Sequence, residues 1–221
     1  MPLPRYIAPL VFMLGAAVPP TGATAQSPAE QEVLQAVAPL ASRQGAMLTL
    51  KIAGNKRVQL RSKNGCDEGP DDCLIYELLG LSPDRRFFIV EMRAYESVTQ
   101  VWIARASGKR VDVYAETHVS PDGTRIVTAN PSEYGSTNGV FLWDVSERGL
   151  TERFRFEPDQ YALYSFVRWR DRDSVDLMKV AHADATLCPA SQLMESAAQL
   201  VRVGGKWVLR DRIDRQAVSC Q

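Results

Sequence analysis

His118-Val119-Ser120-Pro121-Asp122-Gly123-Thr124-Arg125-Ile126-Val127 is the stretch on which the fold turns. Proline at the second turn position presets φ, an aspartate side chain can hydrogen-bond nearby backbone, and glycine takes the left-handed conformation that closes a short hairpin. An apolar run follows at once, so Ser120-Pro121-Asp122-Gly123 reads as a corner between two strands. The phrase occurs a second time as Ser82-Pro83-Asp84, 38 residues earlier, again between apolar runs. Arg85 stands where the later copy has Gly123. If both corners share one geometry, Arg85 carries about 1–2 kcal/mol of left-handed strain; otherwise the first turn is built differently.

The flanks of the two corners correspond as well. Phe87–Met92 matches Arg125–Ala129, Val98–Ala104 matches Gly139–Val145, and Lys109–Tyr114 matches Leu150–Phe156. A degenerate third copy follows as Leu163–Trp169, the polar corner Arg170–Asp173, and Ser174–Val180. Ala198–Val203, Gly204-Gly205 and Trp207–Asp211 give a further hairpin signal. A period near 40 with a turn at a fixed offset marks a repeat architecture, and four-stranded propeller blades fall in that range.

Ser120–Val127 together with Val140-Phe141-Leu142-Trp143-Asp144-Val145 resembles the TolB-like, WD-like β-propeller repeat, over about residues 73–212. The first copy departs from it at Trp102-Ile103-Ala104-Arg105, which lacks the aspartate of the second, and the third has lost the corner phrase. The resemblance implies a fold more than an activity, because such repeats host binding, scaffolding and hydrolase-accessory roles. The expected fold is all-β, a propeller-like array of about three to four antiparallel four-stranded blades with one N-terminal helix. The hairpin Met47–Ile52 with Arg57–Arg61 is expected to supply half a blade, closed by the C-terminal strands; an open arc is the alternative.

Residues 1–25 have the form of a secretory signal peptide: Arg5, an apolar stretch Ile7–Val18, then Ala23-Thr24-Ala25 before Gln26. The apolar stretch is too short to span a bilayer, which takes about 20 residues. The expected location is periplasmic or secreted, with no membrane insertion after cleavage. Residues 26–45 are expected to hold an amphipathic helix, capped by Ser27 with Pro28 at its first position and kinked or ended by Pro39. Residues 46–221 are expected to form a β-propeller-like domain. Cleavage removes Arg5, leaving 25 basic against 26 acidic residues, a net charge of −1. So neutral a chain gives no electrostatic case for nucleic acid.

Four cysteines in an exported chain read as two disulfides rather than a zinc site, since no Cys-x-x-Cys pair is present. Three pairings are possible. The turn-rich loop between Cys66 and Cys73 favours their pairing and leaves Cys188 with Cys220. Loop entropy alone makes these bridges worth roughly 2.5 and 3.7 kcal/mol. Asp67, Glu68, Asp71 and Asp72 inside the shorter loop lack the alternate spacing of a calcium site. No metal and no cofactor is expected.

Motifs of serine hydrolases, β-lactamases, zincins and phosphate-binding loops are missing from the sequence. His118 and His182 are the only histidines, and Ser136 lies in a loop between glycines. Arginines and aromatics cluster instead. Arg153 and Arg155 alternate with Phe154 and Phe156, so a strand would send them to opposite faces. Tyr161, Tyr164 and Arg168 follow closely. Arg153, Arg155, Tyr161, Tyr164 and Arg168 are therefore the expected binding residues, because arginine and tyrosine carry much of the energy of interfaces. The expected function is a non-enzymatic exported module that holds another periplasmic or secreted protein, or an envelope component. Two alternatives stand beside it: an inhibitor or immunity-type protein, and a small hydrolase assembled from loop residues such as His118, Asp122 and Ser136.

Overall fold

The computed structural model describes residues 27–64, 73–133, 137–212 and 218–220. One helix, α1 (Pro28–Val37), precedes an all-β body of antiparallel sheets. Ser27 caps it by accepting the Glu30 amide at 3.0 Å, with Pro28 where no backbone donor is needed. The helix stops at Val37, just before Pro39, whose ring removes a donor and disfavours helix in the residue ahead. Part of the expected 26–45 helical segment is therefore strand.

That strand is β1 (Ala41–Gln44), which opens a three-stranded sheet with β2 (Met47–Lys51) and β3 (Arg57–Arg61). The second sheet runs β4 (Lys63–Asn64), β5 (Cys73–Leu81), β6 (Phe87–Ala94), β7 (Ser97–Ala104), β8 (Arg110–Asp112). The third runs β9 (His118–Val119), β10 (Arg125–Asn130), β11 (Gly139–Ser146), β12 (Gly149–Phe156), with spatial order following the chain. The fourth runs β13 (Ala162–Asp171), β14 (Ser174–His182), β15 (Leu193–Val203), β16 (Lys206–Arg212), and β17 (Ser219–Cys220) joins it on β15. One sheet curls into a half-barrel.

Two expectations are corrected here. The sheets hold three, five, four and five strands rather than four throughout. The C-terminal strands β16 and β17 pair with β15, so they complete the fourth sheet and do not close the first. The physical reason is hairpin proximity: Gly204 and Gly205, both at positive φ, return the chain directly onto β15.

Successive sheets pack face to face through three cores. Leu48, Leu50 and Leu34 of α1 meet Leu78, Phe88 and Val90 of the second sheet. Phe87 and Trp102 meet Ile126, Phe141 and Trp143 of the third. Val127 and Leu142 then meet Tyr164, Val175, Leu177 and Leu200 of the fourth. The second and third sheets contribute to a core on each face, which is why Val101–Ala104 of β7 and Val140–Trp143 of β11 read as unbroken apolar runs.

The two repeated corners have the same bonding. Ser82 Oγ donates to Asp84 at 2.6 Å and accepts the Phe87 amide at 3.0 Å; Ser120 Oγ donates to Asp122 at 2.8 Å and accepts the Arg125 amide at 2.9 Å. Arg85 sits at φ 58° and Gly123 at φ 69°, so the arginine does adopt the left-handed geometry. Burial pushes the Asp84 and Asp122 carboxyls up, but the serine and backbone donors outweigh it and hold both below the ordinary carboxylate value.

The helix is fastened to both neighbouring sheets by one ion pair. Glu30, 2 % exposed, accepts from Arg43 Nε at 2.6 Å and from the Leu78 amide at 2.8 Å, while Arg43 Nη2 also donates to the Tyr76 carbonyl at 2.6 Å. The C-terminus is fastened covalently: Cys188 and Cys220 form a disulfide, as expected. Cys73 is also disulfide-bonded, and its expected partner Cys66 lies outside the described residues.

Candidate binding site

The corners gather at one end of the sheet stack. Ser82, Asp84 and Gly123 line a common crevice, and Arg125 Nη1 donates to the Arg172 carbonyl of the third corner at 2.6 Å. Because strands are antiparallel, the other end receives the β12–β13 connection and the ends of β14 and β16. There a cleft of about 430 Å³ opens between the third and fourth sheets.

Its deeper wall is Tyr164, Met194 and Phe156, and the Phe156 and Tyr164 rings meet edge to face at 5.7 Å. Tyr161 and His182 form an outer aromatic wall with ring centres 5.1 Å apart. The Tyr161 hydroxyl donates to Glu133 at 2.7 Å. Lys179, Asp211 and Ser196 are the polar part of the lining. Lys179 Nζ donates to Asp211 at 2.6 Å and lies 5.8 Å from the centre of the Tyr164 ring. Burial pulls the Lys179 ammonium down, but Asp211 and Tyr164 outweigh it, so the group stays charged with a raised value. Burial raises the Tyr164 phenol, which remains a hydroxyl able to donate and accept.

Of the five expected binding residues, Tyr161 and Tyr164 come together in this cleft. The arginines lie outside it. Arg153 pairs with Asp144 at 2.6 Å, and Arg168 pairs with Asp176 at 3.0 Å. Arg155 is held by Glu152, Tyr114 and Glu157, which raise its already high value, and it covers the Phe141 ring at 5.0 Å. The alternation read from the sequence is present: Phe154 and Phe156 turn into the core between the third and fourth sheets.

Of the residues suggested for a hydrolytic site, His118 stacks on Phe166 at 3.7 Å, and burial lowers its value. The Asp122 carboxylate is taken up by Ser120 and Thr124. Ser136 lies outside the described residues.

Lys179 and Asp211 were missed, although the sequence held a signal for each. Val175, Leu177 and Ala181 point into one core with period two, and Lys179 falls in phase with them. Asp211 likewise falls in phase with Trp207 and Leu209. A charge in phase with a core stripe is informative because burying it alone is costly.

No family model matches the chain, and no curated protein matches it.

Proposed function

We propose that this protein is an exported, non-enzymatic binding module, built as an open arc of TolB-like, propeller-type sheets, that holds a periplasmic or secreted protein or an envelope component. The observation that carries the reading is the cleft at Tyr161, Tyr164, Lys179 and Asp211. Its size lies in the range of ligand pockets, about 300–1,000 Å³, and it combines aromatic walls with a few converging polar groups. The Cys188–Cys220 disulfide supports the exported location, since such bonds persist in oxidising compartments. Arg153, Arg155 and Arg168 are already paired with carboxylates, so a partner reaching them would exchange ion pairs on the rim of its footprint.

Crosslinking capture from periplasm by the mature chain tests the proposal. Tyr161→Ala with Asp211→Asn should abolish specific capture in a variant that circular dichroism shows to be folded. Capture that survives both substitutions would remove the cleft from consideration. Hydrolytic turnover lost on His118→Ala in a folded protein would overturn the non-enzymatic reading itself.

A further inference from the structure

Resting on the reading of this cleft as the binding site, we propose that its ligand is a neutral saccharide unit, stacked on Tyr161 and hydrogen-bonded by Lys179, Asp211 and Ser196. The argument begins with charge. Lys179 and Asp211 compensate one another at 2.6 Å, with side chains 19 % and 39 % exposed. An anion entering the cleft must compete with Asp211 for the ammonium, and a cation must compete with Lys179 for the carboxylate. Either would bring a like charge beside the other member of a pair that is partly removed from water.

A neutral polyol avoids that conflict. An ammonium has three donors and a carboxylate about four acceptor sites, so the pair keeps unused capacity of both signs. A sugar hydroxyl donates to Asp211 and accepts from Lys179 with the ion pair intact. Ser196, 5 % exposed where it lines the cleft, adds a hydroxyl of either sense. A purely apolar ligand would instead strand these polar groups away from water, at a cost per group larger than the net gain from a hydrogen bond made.

Shape gives the second argument. A pyranose has an apolar face of C–H groups and a rim of hydroxyls. The cleft joins an aromatic pair, Tyr161 beside His182, and the polar group formed by Lys179, Asp211 and Ser196 in one lining. The Tyr161 ring is itself held by its hydroxyl bond to Glu133, so the wall is oriented before a ligand arrives.

Titration calorimetry on the mature chain tests this with cellobiose, maltose and N,N′-diacetylchitobiose, beside charged digalacturonate and the flat heterocycle uridine. Saturable binding of at least one neutral disaccharide is expected. It should weaken at least tenfold on Tyr161→Ala and on Lys179→Met, and stay unchanged on Arg57→Ala, an exposed residue of β3 in the first sheet. Binding of digalacturonate or uridine alone, or no saturable binding at all, would overturn the inference, as would neutral-sugar binding indifferent to Tyr161→Ala. A photo-crosslinker at the exposed rim residue Gln160 separates this from the broader reading. If it captures an envelope protein while every sugar fails, the binding module stands and the saccharide falls. If neither binds, both fall.

Discussion

Replacing Arg85 by glycine should stabilise this protein. Arg85 occupies φ 58°, in a corner whose bonding matches that of Gly123 at φ 69°. A side chain in the left-handed region costs about 1–2 kcal/mol. The arginine side chain is exposed and donates no hydrogen bond among the described residues, so little is lost with it. The contact from Arg105 Nη1 at 2.6 Å goes to the Arg85 carbonyl and survives the change. Against the relief stands the greater freedom of glycine in the unfolded chain, about 0.5–1 kcal/mol. The net expectation is a gain of about 0.5–1 kcal/mol, or about 1–4 °C in melting temperature for a chain of this length. The mirror substitution Gly123→Arg should lower stability by a similar amount. A Cβ there meets nothing within 4 Å, so only the backbone conformation is charged. Thermal unfolding by circular dichroism, checked by urea titration at constant m-value, reads both. An unchanged or lower melting temperature for Arg85→Gly would refute the claim that the two corners share one backbone geometry.

Glu30→Ala strands the Arg43 guanidinium and the Leu78 amide in the interior, so urea titration should show a loss of about 3–5 kcal/mol; a loss under about 1 kcal/mol would contradict the clamp. Gly139→Ala would press a methyl to 2.1 Å from the Phe156 carbonyl oxygen, so the variant should unfold well below the parent temperature. Cys188→Ser with Cys220→Ser opens a loop with sequence separation 32 and should cost about 3–4 kcal/mol, measured against the oxidised parent. His118 has a folded value below its ordinary 6.5, so the stability it contributes is full above 6.5 and is lost as pH falls through the folded value. His118→Phe should flatten that part of the pH–stability curve, and an unchanged slope would show that another group titrates there.

What the sequence determined by itself was local. The Ser-Pro-Asp corners set their own hydrogen bonds within five residues, so strands β5–β6 and β9–β10 could be paired from the text alone. Period two put Phe154 and Phe156 on the face opposite Arg153 and Arg155, and the cap at Ser27 and the stop before Pro39 bounded α1. Tertiary structure decided what depends on partners distant along the chain. It placed β16 and β17 on β15 rather than on the first sheet, because a glycine turn delivers the chain to its nearest free edge before any distant one. It paired Lys179 with Asp211 across 32 positions, and it separated Arg153, Arg155 and Arg168 from Tyr161 and Tyr164. Alternation along a strand says which face a side chain takes. Which sheet stands opposite that face, and at what register, is set by packing between side chains that no short stretch of sequence contains.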